Sequence, residues 1–296
     1  MPIGRFSRVA VAAILVAISG GSARGEEPSA EPERAEEAGP EHGKINTSDA
    51  SPVGAHVFEV EASYGPSWSL RGGGDFDRSA RGAVYPLGLS VTYGIVDDVD
   101  VNVSLGYATV YDSAYSGDDS HPVGPAHGHG FTDTTAGLRW RFLSRPDWGL
   151  DLAVISDFVL PTGADAAPDR VGLSQVYWSF ENALVVSKDF GPLTANAELG
   201  YSLPFGSERG DERGTLFANL AGGWQVLPWL QPEVELNYEH SYEASSTPDA
   251  DLLYLTGGVV APFGKGYRVA AGAQYAVWGR HTGQSVTGTV AFKWAF

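Results

Sequence analysis

The stretch Val99-Asp100-Val101-Asn102-Val103-Ser104-Leu105-Gly106-Tyr107 decides the fold. Every odd-numbered side chain is apolar and every even-numbered one is polar or small. A repeat of two places successive side chains on opposite faces of an extended strand, so one face meets an apolar medium and the other meets water. The stretch before it has the same design. Leu87, Leu89, Val91, Tyr93 and Ile95 alternate with Gly88, Ser90, Thr92 and Gly94, and Val96-Asp97-Asp98 forms a tight turn between the two strands.

The pattern continues outward in both directions. Thr134 to Phe142, Leu150 to Phe158, Val176 to Val186, Leu193 to Tyr201, Leu216 to Val226, Val234 to Tyr238 and Tyr267 to Val277 alternate in the same way. Segments 56–65 and 252–263 complete the set, less sharply, and the chain ends in a further strand. This predicts an all-β fold, a 12-stranded antiparallel up-and-down transmembrane β-barrel over residues 54–296. Short connections are expected near 96–99, 144–148, 187–192, 227–231 and 263–266. Long polar ones are expected near 66–83, 112–130, 161–172, 204–213, 244–251 and 279–285. Strict alternation of short turns and long loops is the pattern of a membrane barrel. Aromatic residues near strand ends, such as Tyr107, Tyr111, Trp140, Phe142, Trp224, Trp229 and Tyr275, fit interfacial girdles.

The last strand sets Val286, Gly288, Val290, Phe292, Trp294 and Phe296 against Thr287, Thr289, Ala291, Lys293 and Ala295. Its apolar series ends on the terminal residue. Phe292, Trp294 and Phe296 therefore read as an assembly signal. The expected partners are outer-membrane lipid and the barrel-assembly machinery.

The other end of the chain reads as an export signal over residues 1–25. Arg5 and Arg8 precede the apolar run Val9 to Ile18, which is too short for a membrane helix, and Ala23-Arg24-Gly25 supplies small residues at a cleavage site. The expected location is the cell outer membrane, reached through the Sec route. Removing residues 1–25 takes away Arg5, Arg8 and Arg24 and no acid, so the formal charge moves from −17 to −20. Such a chain lacks the basic face that a nucleic-acid partner requires. It also has no cysteine, which excludes disulfides, thiolate catalysis and Cys-ligated metals. Residues 26–53 are rich in Glu and Pro and poor in apolar residues, and their composition predicts a disordered segment.

The inward faces of the predicted strands carry the chemistry. Glu59, Glu61, Asp100, Asp133, Asp151, Asp157, Glu181, Glu198, Glu233, Glu235 and Glu239 face Arg139, Arg141, Arg268 and Lys293. Two readings stay open. The acids line a water-filled lumen that favours cations, or they pair with the basic residues and fill a narrow barrel. Tyr177, Phe217, Tyr254 and Trp278 are expected inside as apolar contact sites. His121, His127 and His129 lie in a predicted loop as weak metal candidates, at a spacing that suits zinc or copper, although a solvated loop explains them as well. His240 with Ser241 or Ser285 is the one arrangement that hints at a barrel hydrolase, and no nucleophile elbow accompanies it. No cofactor is expected.

Asp157-Phe158-Val159-Leu160-Pro161-Thr162-Gly163 resembles a strand-to-loop motif of the "MetA-pathway of phenol degradation" family of outer-membrane proteins. Gly130-Phe131-Thr132-Asp133 with Gly137-Leu138-Arg139-Trp140-Arg141, and Tyr93-Gly94-Ile95-Val96-Asp97, are similar to other parts of that family. The resemblance covers most of residues 85–296. It implies an outer-membrane channel or transporter for small solutes, often hydrophobic or aromatic compounds, and no catalytic residues. The alternatives are a non-conducting barrel that works through its external loops 66–83 and 112–130, and the barrel hydrolase.

Overall fold

A computed structural model describes residues 43–70, 82–115, 124–167, 170–244, 248–264 and 266–296. The expected export signal over residues 1–25, residues 26–42 and His121 lie outside the described residues.

Fourteen strand segments form one closed antiparallel sheet. They are β1 (Phe58–Tyr64), β2 (Ser67–Ser69), β3 (Gly82–Val96), β4 (Val99–Tyr115), β5 (Gly124–Phe131), β6 (Thr134–Arg145), β7 (Leu150–Leu160) and β8 (Trp178–Phe190). β9 (Leu193–Phe205), β10 (Glu212–Trp224), β11 (Gln231–Glu243), β12 (Ala250–Phe263), β13 (Tyr267–Arg280) and β14 (Ser285–Ala295) follow. β1 and β2 are halves of one barrel strand, interrupted at Gly65-Pro66, because both pair with β3 and with β14. β5 and β6 are likewise halves of one strand, because both pair with β4. The wall therefore has twelve strands. It closes where β1 meets β14, from Glu59↔Ala295 to Tyr64↔Val290. Phe58 and Phe296 finish the seam by exchanging backbone hydrogen bonds of 3.0 and 2.8 Å.

The outer face is apolar along its length. Leu87, Leu89, Val103, Leu199, Leu220, Val234 and Val290 each leave about half of their surface exposed. Aromatic pairs mark the edges of this belt, including Tyr267 stacked on Trp294 and Tyr107 edge-on to Phe131. Barrels put their hydrocarbon surface outside for contact with lipid, and their polar residues turn inward.

Four local expectations need correction. The strands around 112–130 run further than their composition implies, so His127 and His129 lie on β5 rather than in a loop. β8 begins at Trp178, not Val176, because Val176 takes a positive φ of 59° and ends the preceding loop. A register shift between Leu253 and Tyr254 puts Trp278 opposite Leu253, on the outer face, where it is 36% exposed. The fourth correction concerns residues 43–53. They are not an unstructured tail but lie inside the barrel, and they form much of the site.

Candidate functional site

Residues 43–53 run as an irregular strap across the barrel interior at the end that carries the short turns. Almost every residue of it is buried. The strap makes no ladder with the wall. Its backbone is held by wall side chains: Glu235 accepts from the N–H groups of Ile45 (2.7 Å) and Asn46 (3.0 Å), Glu198 from Ser48 (3.3 Å), Ser187 from Ala50 (2.9 Å) and Asp100 from Val53 (3.1 Å). A short polar segment with little apolar surface orders only if its buried N–H groups find acceptors. The inward acids of β4, β9 and β11 are most of those acceptors, and the hydroxyl of Ser187 on β8 is the other.

Ion pairs fix both ends. Lys44 Nζ lies 3.4 Å from Glu233 and donates to Thr194 at 2.7 Å. Arg139 reaches Asp49 at 3.3 Å and Asp100 at 3.5 Å, and donates to the Ser51 carbonyl at 2.8 Å. Ile45 fits a socket formed by two inward glycines, where a Cβ on Gly272 would meet Ile45 Cδ1 at 2.7 Å. Glycine inside a strand marks such a close approach. The strap joins the wall through Gly54, which has a φ of 90°. Beyond it, Ala55 and His56 are tied to the β3–β4 turn through Asp97 Oδ1 (3.2 Å) and the Gly94 carbonyl (2.8 Å).

The remaining acids have different surroundings. Glu59 and Glu61 share Lys293, at 3.0 and 3.3 Å. Arg268 is buried on the same side, close to Gly43. Arg141 stands at the short-turn rim, bridging Asp98 (2.8 Å) and Asp151 (3.4 Å). Asp133 is buried where the wall strand breaks between β5 and β6, and accepts from the N–H groups of Gly163 (2.9 Å) and Gln175 (2.7 Å). It thereby folds the β7–β8 connection inward, and Leu173 packs on Ala108 and Val110. Asp157 and Glu181 are cross-strand neighbours on β7 and β8, and Glu239 lies on the inward face of β11. Both readings of the lumen keep some support: ion pairs are described for Glu59, Glu61, Asp100, Asp151 and Glu233, Glu198 and Glu235 are held by the strap, and Asp157, Glu181 and Glu239 have no described ion pair.

Between the strap and the wall formed by β1, β3, β4, β13 and β14 lies a cleft of about 90 Å³. Ser90, Ser104, Gly106, Thr132, Thr287 and Thr289 line it, with Lys44 and Ile45 of the strap on one side. Small side chains leave the room, and their hydroxyls make the cleft polar enough to hold water. Phe217 and Tyr254 are buried inside the barrel as expected, in two apolar clusters. Tyr177 is also buried.

Among the described residues, neither histidine group forms a site. His127 and His129 are exposed on the outside of β5, with Tyr111 beside His127 at 5.0 Å between ring centres. Among the described residues no cluster of three or more metal-ligating side chains occurs. His240 faces outward with Tyr242, while Ser241 is buried on the other face. The imidazole contacts Asp251 at 2.7 Å, and Asp251 is also held by Tyr238 and Arg280. That network holds a carboxylate and brings no serine to the imidazole.

The strap was not identifiable from composition. Its signal in the sequence was the pair of glycines at Gly258 and Gly272 within strand interiors, which mark where another part of the chain presses on the wall.

Among solved structures, the COG4313 outer membrane channel from Pseudomonas putida F1 matches with a TM-score of 0.70 and 13% identity, over 86% of this chain and 100% of that chain. The transport unit of the autotransporter AIDA-I from Escherichia coli matches with a TM-score of 0.51 and 11% identity, over 81% of this chain and 90% of that one. The β domain of the Bordetella autotransporter BrkA matches at 0.50 and 16%, over 82% of this chain and 100% of that one. At these identities the likeness is one of fold: a membrane β-barrel. No protein-family model matches the chain, and no curated protein sequence matches it.

Proposed function

We propose that this protein is an outer-membrane channel that passes small solutes, with a preference for hydrophobic or aromatic ones. The observation that carries the reading is the combination of a fully closed lipid-facing wall with an interior that is polar and hollow on one side. A barrel that served only as an anchor would gain from filling its interior with large packed side chains. Here several inward residues of β3 and β14, among them Gly88, Ser90, Thr287 and Thr289, are small, and a cleft results beside the charged Glu61, Arg268 and Lys293.

The preference for apolar solutes rests on the resemblance to the phenol-degradation family and on the buried apolar groups inside the wall, Phe217, Tyr254 and Leu173. The name of the Pseudomonas putida neighbour, an outer membrane channel, is consistent with the class. We assign the short-turn end, which holds both described ends of the chain, to the periplasm. Phe292, Trp294 and Phe296 then present the assembly machinery with its alternate aromatic residues.

Purified protein in planar bilayers is expected to give discrete conductance steps, and proteoliposomes are expected to take up small phenolic compounds faster than protein-free liposomes. Silent bilayers together with liposomes that take up no more than controls would overturn the reading.

A further inference from the structure

We propose that residues 43–53 are a displaceable gate, hinged at Gly54, that closes the short-turn mouth of the barrel and must leave the wall for a solute to pass. This rests on the channel reading and deepens it.

Three observations carry the proposal. First, the wall is complete without the strap. Each barrel strand has its ladder partners on both sides, and the seam of β1 with β14 is closed along its length. Second, every hydrogen bond described for the backbone of residues 45–53 runs to a side chain, as from Ile45 to Glu235, Ala50 to Ser187 and Val53 to Asp100. Water entering a lumen replaces such bonds one at a time, whereas it does not replace a strand inside a ladder. The strap's apolar hold is also small, consisting chiefly of Ile45, Ala50 and Val53. Third, the attachment is divided into a fixed part and a movable part. Ala55 and His56 are bonded to Asp97 and Gly94 of the wall, and Phe58 belongs to the seam. Gly54, at a positive φ, is the residue between them and the strap, so rotation there swings the strap without disturbing β1.

The strap also lies where a gate must lie. It crosses from Asp100 and Arg139 on β4 and β6, past Ser187 and Glu198, to Glu235 and the Gly258–Gly272 socket on β12 and β13. It thus spans the mouth, with the cleft beside β14, β1 and β3 along one side of it.

The test is a crosslink in the full chain. The protein has no cysteine, so Ala50→Cys with Ser187→Cys creates a single disulfide between strap and wall. A second variant lacks residues 43–53, with folding checked by the heat-dependent gel shift typical of intact barrels. The readout is potassium chloride current in planar bilayers. The reduced crosslink variant and the deletion are expected to conduct, and oxidation is expected to lower the current of the crosslink variant at least tenfold, reversibly with reductant. Equal currents in oxidised and reduced forms would overturn the gate and leave the channel standing, with the strap as a permanent lining. A folded deletion variant that carries no current would overturn the channel reading and the gate with it.

Discussion

The carboxylate of Glu235, on the inward face of β11, accepts the backbone N–H of Ile45 at 2.7 Å, and the two residues are 190 positions apart in the chain. The same carboxylate takes the N–H of Asn46 and the hydroxyl of Thr47. One wall acid thus holds three consecutive residues of the strap. A charged acceptor that binds backbone donors in a buried place contributes more than a neutral one, on the order of 1.5–3 kcal/mol per bond.

Replacing Glu235 with Ala should therefore free the first half of the strap. The expected cost is about 2–4 kcal/mol of strap docking, with the barrel itself intact. Hydrogen exchange is the direct measurement. The amides of residues 45–48 should lose protection while those of β10 to β12 keep theirs. Glu235→Gln should cost less, because its amide oxygen still accepts. If strap protection in Glu235→Ala equals that of the unaltered protein, the anchoring role is wrong.

Gly272 tests the same docking from the apolar side. Gly272→Val would fill the socket of Ile45, whose Cδ1 is 2.7 Å from where the first added carbon would sit. Overpacking of this kind costs about 1–3 kcal/mol, and the strap is the part free to yield. A fluorescent label near Ile45 should report its release, whereas Ala50, on the opposite side of the lumen among Ala153 and Val185, should stay in place.

Arg139 ties the strap to the wall and also neutralises Asp100, which is fully buried. Truncating one partner of a buried ion pair strands the others, at a cost of about 3–5 kcal/mol. Arg139→Ala should therefore lower the midpoint of urea unfolding in lipid vesicles. Adding Asp100→Asn should recover part of the loss, since it removes the uncompensated charge. Failure of the double variant to recover any stability would show that Asp100 does not depend on Arg139.

Leu199 sits midway along β9 on the outer face and is 55% exposed. In a soluble barrel an arginine there would be nearly neutral. In a bilayer, Leu199→Arg should destabilise the protein by about 2–4 kcal/mol, the cost of a charge near the midplane. Reversible unfolding from liposomes measures it, and a change within about 0.5 kcal/mol would contradict a membrane-spanning wall.

Phe296 is 57% exposed, yet its backbone closes the seam with Phe58 and its ring packs on Trp294 at 4.4 Å between centres. Phe296→Ala keeps the backbone bonds and should leave the folded barrel stable to within about 1 kcal/mol. Deleting Phe296 removes the bonds as well, and should lower the fraction that folds into vesicles several-fold. Comparing the two variants separates the seam from the side chain. Only the side-chain effect should appear when assembly is measured in cells with Phe296→Ala.

What the sequence determined by itself was local and periodic. A repeat of two over Val99 to Tyr107 dictates which side chains share a face, and the same repeat through to Phe296 sets the strand count, the alternation of turns and loops, and an apolar exterior. Those properties depend on neighbours two positions apart, so they are legible in the chain. Only the tertiary structure decided what the inward acids do. Glu198, Glu233 and Glu235 were legible as inward-facing, but their partners Ser48, Lys44 and Ile45 belong to a segment whose composition resembles disorder. Composition registers how little apolar surface a segment can bury, and it does not register acceptors that wait on distant strands. The same limit explains Trp278, where a single bulge moved a side chain from the predicted inner face to the outer one. Periodicity carries no information on a one-residue slip until the neighbouring strand is in place.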